Sequence, residues 1–147
     1  MVEPHASDEL RRAVSDRLDL FNVATTGLDA WHSVAIFLRG PDDEIVGGLL
    51  GDIWGSWLHV TYLWVAEPYC GHGHARALLR AAERFAIERG CSAARLETFS
   101  FQAPGFYAKQ GYEVFGVLED CPPGHRQFFL RRTLAQEVDS RHGHPRA

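Results

Sequence analysis

The chain has 147 residues, of which 46% are hydrophobic and 23% charged, and this is the composition of one globular domain. Its 15 basic and 19 acidic residues give a net charge of −4, which disfavours nucleic acid and anionic membrane surfaces as partners and weakly favours a cationic amine. The N-terminal residues mix acids and bases without an apolar core, so no signal peptide is predicted, and no apolar run approaches the roughly 20 residues that span a bilayer. The three cysteines lack a disulfide-framework spacing, and the protein is therefore expected to be cytoplasmic with reduced thiols.

The first predicted element is a helix from Ser7 to about Phe21. Its apolar residues fall on one helical stripe, Ser7 can cap the helix, and two acidic residues suit its first turn. Residues 22–31 contain Thr-Thr-Gly and are predicted to be a connection.

Three strands are predicted to follow, over residues 33–39, 44–52 and 58–65. A Gly-Pro-Asp-Asp turn separates the first two strands, and Trp54-Gly55-Ser56-Trp57 is typical of a tight hairpin between the second and third. These strands are predicted to pair in antiparallel fashion.

A glycine-rich turn comes next, between the third strand and a helix predicted over residues 73–90. Pro68 cannot continue a strand, and Gly71 and Gly73 allow the backbone to approach a ligand closely. Free amides and the positive end of the helix dipole meet here, and this arrangement suits a phosphate or pyrophosphate. A glycine turn needed only for its geometry is the alternative.

Other readings of this turn are disfavoured. The third glycine of a Rossmann turn and the Gly-Lys-Ser/Thr of a nucleotide triphosphatase loop are both missing. Cys70, His72 and His74 are spaced like metal ligands, but no second ligand pair is evident in the sequence, so no metal site is predicted.

The remaining predicted elements are a strand over residues 93–99, a short helix over 104–109 and two paired strands over 112–118 and 126–134. Gly111 is a stop signal for the short helix. Residues 135–147 are polar and are predicted to be a flexible tail. The sequence therefore predicts a single α/β domain with its core over residues 7–134, in which helices flank a mixed, mostly antiparallel sheet.

Two motifs in this order resemble those of the GNAT superfamily of N-acetyltransferases. The family's Gln/Arg-x-x-Gly-x-Gly/Ala corresponds to Cys70-Gly71-His72-Gly73-His74-Ala75, and its Tyr-x-Lys-x-Gly-Phe/Tyr corresponds to Tyr107-Ala108-Lys109-Gln110-Gly111-Tyr112. The resemblance implies the GNAT fold and acetyl-CoA as co-substrate, with no metal.

The resemblance also implies the residues that hold the coenzyme. They come from the end of the third strand, the glycine-rich turn, and the segment around the short helix: Leu63, Trp64, Val65, Cys70, Gly71, His72, Gly73, His74, Ala75, Arg76, Ser100, Ala103, Phe106, Tyr107 and Lys109. Cys70 replaces the family's usual Gln or Arg, and Ser100 replaces its Asn. The first change removes at most one charge-assisted hydrogen bond, about 1.5–3 kcal/mol, so weaker or retuned coenzyme binding is expected.

In the resembling family the amine attacks the thioester directly within a ternary complex. Backbone amides near residues 63–65 would then stabilise the developing oxyanion, and Tyr107 would protonate the departing thiolate, as a phenol that is protonated at neutral pH can do. Without the motif, Tyr107 would be interpreted as a packing aromatic. Glu97 or His59 could accept the amine proton, or bulk water could take it before binding.

The acceptor pocket is expected near the first helix and the hairpin, where Trp31, Asp52, Trp54 and Trp57 could bind a cation with apolar parts. Ordinary core and hairpin packing is the alternative for these residues.

The predicted function is therefore transfer of an acetyl group from acetyl-CoA to a primary amine of a small molecule. The alternatives are a non-catalytic acyl-CoA sensor and an acetyltransferase of protein N-termini or lysines. A homodimer is suggested only by analogy with the family.

Overall fold

A computed structural model describes residues 1–134, and the predicted tail over residues 135–147 lies outside the described residues. Residue contacts divide the chain into two compact units, Met1–Ala30 and a second that begins at Trp31. The prediction of a single domain stays a prediction. Within residues 1–134, no helix combines the length and apolar character needed to cross a membrane.

The first unit contains one helix, α1 (Asp8–Thr26). Ser7 caps it as predicted, because the Ser7 hydroxyl accepts a hydrogen bond from the Leu10 amide at 3.2 Å. The helix does not end near Phe21: it continues to Thr26, and Gly27 ends it with a left-handed φ of 73°. The prediction of a connection over residues 22–31 was therefore wrong for its first half, since the stop signal is the glycine and not the two threonines.

The second unit is built on a six-stranded sheet. Its strands are β1 (Trp31–Arg39), β2 (Ile45–Trp54), β3 (Trp57–Val65), β4 (Ala93–Phe99), β5 (Glu113–Glu119) and β6 (Arg126–Thr133). They lie in the order β1-β2-β3-β4-β6-β5, in which β3 and β4 are parallel and every other neighbouring pair is antiparallel. The predicted mixed sheet is confirmed, with β4 at its predicted bounds and the other strands within a residue or two of theirs.

Two helices lie in the connections on either side of β4. The glycine-rich turn leads into α2 (His74–Glu88), and α3 (Pro104–Lys109) follows β4. A single 3₁₀ turn, Glu67–Tyr69, contains Pro68 and separates β3 from the glycines.

The core lies between α2 and one face of the sheet. Towards the sheet, α2 presents Leu78, Leu79, Ala82 and Ala86, which are all buried. They pack with fully buried strand residues such as Leu58, and burial of each large aliphatic side chain contributes roughly 1.5–3 kcal/mol. This packing fixes α2 so that its N-terminus is held just beyond the end of β3.

The opposite face of the sheet, which we call the second face, carries polar and aromatic side chains. Side chains alternate along β4, so Leu96 is buried towards α2 while Glu97 lies on the second face. The pairing register places His59, Asp52 and Phe129 on the same face as Glu97.

A β-bulge interrupts β3 near its middle. Gly51 pairs with Val60 and Leu50 pairs with Tyr62, so Thr61 is an extra residue. Gly51 is required there, since a Cβ at this position would overlap the backbone carbonyl of His59.

Candidate active site

The candidate site begins where the two parallel strands separate. β3 and β4 pair only from Trp57↔Ala93 to Val60↔Leu96, although both strands continue beyond those pairs. Beyond Val60 the two strands share no pairs, so a gap opens in the sheet.

Backbone amides of β3 face this gap. Strand amides alternate in direction, and the Ala66 amide donates to the Val46 carbonyl on β2 at 2.8 Å. Leu63 and Val65 therefore direct their amides away from β2, towards the gap. The two amides therefore stand where donors are predicted near residues 63–65, and their role stays a prediction.

The N-terminus of α2 lies beside the gap and also offers free donors. Gly73 is the N-cap residue, with a φ of 82°, and it has no side chain to cap the first turn. Gly71 has a φ of 80°, and a Cβ at either glycine would meet no atom within 4 Å. Both glycines are thus required by backbone conformation, and they leave open space in front of the helix amides.

These elements enclose a cleft of about 560 Å³. It brings together most of the residues predicted to hold the coenzyme: Leu63, Trp64, Val65, Cys70, Gly71, Gly73, His74, Ala75, Arg76, Ala103, Phe106 and Tyr107. A cleft of this size with unpaired amides on two sides fits a long ligand that carries a diphosphate.

Three predicted residues are not among those that line the cleft. The Ser100 hydroxyl instead accepts a hydrogen bond from the Arg126 amide at 3.0 Å, at the start of β6. The imidazole of His72 lies 6.2 Å from that of His74, and Lys109 is in the last turn of α3. Two lining residues, Tyr69 and Gln110, were missed; Tyr69 directly precedes the first quoted motif, and Gln110 stands inside the second, beside Lys109.

Cys70 lines the cleft with a free thiol. Its sulfur lies 3.5 Å from the carbonyl oxygens of both Val65 and Ala66, so the thiol is directed back at the end of β3. It provides no positive charge where the family's usual Gln or Arg would stand.

Tyr107 presents its phenol to the cleft from α3. The residue is 9% exposed, and its hydroxyl has no hydrogen-bond partner among residues 1–134. Its ring makes edge contacts with Phe106 and Tyr112, with ring centroids 5.1 Å and 6.1 Å away. Burial raises the pKa of this phenol above its ordinary value, so it stays protonated over a wider pH range.

On the second face, a histidine and a glutamate join β3 to β4 where the gap opens. His59 Nε2 lies 2.9 Å from Glu97 Oε2, and the two side chains are 23% and 27% exposed. Arg95 Nη1 lies 3.5 Å from the other carboxylate oxygen, and Asp52 stands opposite His59 in the register. Glu97 follows directly after Leu96, the last residue of β4 that pairs with β3, so its carboxylate lies at the narrow end of the gap.

The predicted acceptor residues separate into two groups. Trp31 and Trp54 are paired across β1 and β2 with ring centroids 5.9 Å apart, and Trp57 begins β3. At about 3.3 Å per residue, Trp57 is roughly 20 Å along the strand from Leu63. Asp52, opposite His59, is much nearer the gap.

An aromatic cluster beyond the end of β4 was missed by the sequence analysis. The rings of Phe99 and Phe101 stack with centroids 5.3 Å apart, and His125 meets Phe101 edge-on at 4.9 Å. Gln102 fixes this loop, because its side-chain oxygen accepts a hydrogen bond from the Phe99 amide at 2.9 Å. The cluster joins residues from two separate loops, so the sequence carried no local signal for it.

No group of three or more metal-ligating side chains comes together within residues 1–134. Cys70, His72 and His74 stand on the turn in front of α2, where Cys70 is directed at backbone carbonyls.

Comparisons with known proteins agree with the geometry. The family model described as the acetyltransferase (GNAT) family matches residues 6–112. The chain is 40% identical over 101 residues to the blasticidin-S acetyltransferase of Streptomyces morookaense, covering 68% of this chain and 74% of that protein. It is 32% identical over 127 residues to the acetyltransferase Atu2258 of Agrobacterium fabrum, covering 86% and 93%. A crystal structure of an acetyltransferase from Bacillus cereus superimposes with a TM-score of 0.79 at 31% identity and covers 91% of this chain and 98% of that one.

Proposed function

This chain belongs to the GNAT family of acetyltransferases and is an acetyl-CoA-dependent N-acetyltransferase, and on that premise we propose that it acetylates a primary amine of a cationic small molecule by direct attack. The observation that carries the proposal is the gap between β3 and β4. It has a donor-lined cleft with a buried phenol on one side and an ion-paired carboxylate at its narrow end.

The cleft is proposed to hold the coenzyme by its backbone. The first-turn amides of α2 would bind the diphosphate, and the amides of Leu63 and Val65 would bind the pantetheine arm and the acetyl carbonyl. The bound co-substrate supplies the thioester carbon that the amine attacks. Donors already fixed in a strand stabilise negative charge on the carbonyl oxygen without reorganisation, so they favour the transition state.

Tyr107 is proposed as the general acid. As the amine nitrogen bonds to the acetyl carbon and the carbon–sulfur bond breaks, the phenol gives its proton to the sulfur, and the proton that the nitrogen then loses restores the phenol through solvent. A buried hydroxyl with no hydrogen-bond partner among residues 1–134 is available for this transfer, and its raised pKa keeps the proton on it at neutral pH.

Glu97 is proposed as the general base, with His59 as its partner. The carboxylate is about one-quarter exposed, so it can accept a proton from an incoming ammonium group directly or through one water. The imidazole at 2.9 Å holds the carboxylate in place and can pass the proton towards solvent.

The acceptor is proposed to be an amine-bearing antibiotic of the blasticidin-S kind. A relative at 40% identity is named for that compound, and the net charge of −4 favours a cation. Asp52 and Glu97 would attract the charged end, and the stacked rings of Phe99 and Phe101 would support a flat apolar part.

A thiol-release assay with acetyl-CoA tests this proposal. We expect coenzyme A release with blasticidin-S and weaker release with polyamines, aminoglycosides and amino acids, and mass spectrometry should show one added acetyl group on nitrogen. Peptide N-termini used better than every small amine would contradict the proposed acceptor class.

The variant Tyr107→Phe tests the acid within the same assay. It should bind coenzyme A normally but turn over roughly 10²–10⁴-fold more slowly, which is the usual contribution of a general acid. Unchanged turnover would remove Tyr107 from the mechanism.

We also propose that the enzyme works in the reducing cytoplasm. Cys70, Cys91 and Cys121 are all free thiols in the described structure, in agreement with that compartment. The homodimer expected by analogy stays a prediction.

A further inference from the structure

A buried charged cluster lies behind α3, on the side of the sheet that packs against α2. Glu83 on α2 is 3% exposed. Its carboxylate accepts hydrogen bonds from the hydroxyl of Tyr112 at 2.7 Å and from the guanidinium groups of Arg132 at 2.7 Å and Arg80 at 2.8 Å. Three donors from three different parts of the chain therefore converge on one carboxylate.

The cluster is connected to the segment that carries the phenol. Arg80 also donates to the side-chain oxygen of Gln110 at 3.4 Å, and Gln110 lines the cleft. The backbone amide of Tyr112 donates to the carbonyl of Tyr107 at 3.0 Å, and the two rings meet edge to face. Glu83 thus contacts the turn that follows α3 at both ends: it bonds Tyr112 directly and reaches Gln110 through Arg80.

Gly111 lets this turn pass close to the cluster. Its φ of 93° favours glycine, and a Cβ there would lie 3.2 Å from Nε of Arg132. The turn is constrained by conformation and by the arginine together, so it has little freedom to shift while Glu83 is in place.

A six-residue helix is too short to hold its own shape in water. The position of Tyr107 therefore depends on what its helix is attached to, and the attachment here runs through Tyr112 and Gln110 to Glu83. We propose that Glu83 is a positioning residue for acetyl transfer: through Tyr112 and Arg80 it sets where the Tyr107 phenol stands in the cleft. This inference rests on the proposed role of Tyr107.

The variant Tyr112→Phe tests the inference, because it removes one hydroxyl and leaves the ring and both arginines. Turnover should fall roughly 10-fold to 100-fold, the scale of a misplacement of about an ångström at a reacting group. The Kd for coenzyme A measured by calorimetry should stay within about twofold, since the diphosphate would bind at α2 and β3.

A double-mutant cycle separates positioning from general loss of stability. If Tyr112 acts through Tyr107, the change Tyr112→Phe should cost no further turnover when made in the Tyr107→Phe enzyme. Val34→Ala is a matched control, because Val34 is a buried residue of β1 at the other edge of the sheet, and it should lower the Tm without lowering turnover.

Amide hydrogen exchange gives a readout that does not depend on activity. In Tyr112→Phe, exchange should quicken about tenfold or more over residues 104–112 while α2 keeps its protection; in Val34→Ala it should not quicken there selectively. If Tyr112→Phe is too unstable to purify, Glu83→Gln is the second variant and should show the same selective change.

Three outcomes would overturn the positioning role of Glu83, and a fourth would reject the proposed acid. Full turnover in Tyr112→Phe, or an equal loss in the presence and absence of Tyr107, overturns the inference. Uniform quickening of exchange over the whole chain also overturns it, because that is what a purely structural role predicts. Full turnover in Tyr107→Phe would instead reject the proposed acid, and the exchange data would still report whether the cluster fixes residues 104–112.

Discussion

Two glutamates of this protein lie on opposite sides of one sheet, Glu83 on α2 and Glu97 on β4, and they differ in burial and in hydrogen-bond partners. Glu83 is 3% exposed and accepts hydrogen bonds from three donors, so its carboxylate is bonded by protein groups and shielded from solvent. The carboxylate of Glu97 contacts one histidine, His59, and one arginine, Arg95, and its side chain is 27% exposed. Glu83 therefore joins separate parts of the chain on the helix-covered side, whereas Glu97 can be reached from solvent on the second face.

Accessibility, more than charge, distinguishes the two carboxylates, since each lies within 3.5 Å of an arginine nitrogen. A buried carboxylate bonded by two arginines and a hydroxyl is costly to disturb. A carboxylate that is about one-quarter exposed can be reached by an arriving amine, and this is why Glu97 is the proposed base.

Replacement of Glu97 is expected to give the largest effect on activity. Glu97→Gln should lower turnover roughly 10²–10⁴-fold at neutral pH, because the amide cannot accept the amine's proton. Its Tm should barely change. Glu113→Gln is the control, since Glu113 makes only an exposed pair with Arg131, worth about 0.2–1 kcal/mol, and should be fully active.

Replacement of Glu83 is expected to give the largest effect on stability. Glu83→Ala leaves two arginines beside an empty buried position, and removal of one partner from a buried ion pair costs about 3–5 kcal/mol. Urea denaturation followed by circular dichroism measures this loss. A loss as small as that of the Glu113→Gln control would show that water reaches the cluster and that the contrast with Glu97 is false.

Alkaline pH should weaken the helix-covered side selectively. Burial, and then the neighbouring Glu83 carboxylate, raise the pKa of Tyr112, and burial raises that of Tyr107. Both groups are protonated in the folded state, so their stabilisation is complete below about pH 10, where the unfolded phenols titrate, and is lost as the pH rises further.

The expected slope is up to about 1.4 kcal/mol of unfolding free energy per pH unit for each phenol. Urea midpoints measured between pH 8 and 11 should show it. The Tyr112→Phe protein should lose stability less steeply over that range; an identical slope would mean that Tyr112 does not titrate as described.

His59 offers the smallest and sharpest test of the second face. His59→Gln keeps a hydrogen-bond donor near Glu97 but removes the imidazole that is proposed to pass the proton to solvent, so turnover should fall about tenfold, less than the roughly 10²–10⁴-fold expected for loss of the base itself. Steady-state turnover of His59→Gln, Glu97→Gln and the unaltered enzyme, measured under the same conditions, gives the comparison. A loss as large as that of Glu97→Gln would make the histidine itself the base.

Most of the fold could be predicted from the sequence because its signals are local. Residues only a few positions apart determine the helix α2, the cap at Ser7 and the hairpin at Gly55. The end of α1 was missed because threonines in a polar segment favour a loop, whereas the helix continued to the glycine that could end it.

The cleft could be predicted because the resemblance carried its residues, but its surroundings could not. Glu83 meets Tyr112 and Arg132 across 29 and 49 residues of chain, and no spacing indicates such a contact. The aromatic cluster of Phe99, Phe101 and His125 likewise forms only when β4 and β6 pair. Contacts that depend on sheet register stay hidden until the register is known.

The extra residue in β3 has a consequence for how this enzyme could change over time. A one-residue shift in a regular strand turns every side chain to the other face and every amide to the other edge. With Thr61 set apart from the pairing, the hairpin half and the gap half of β3 keep separate registers with β2. Insertions at Trp54–Trp57 could therefore be absorbed before they reach Leu63 and Val65, leaving one end of the strand free to diversify while the other keeps its donors in place.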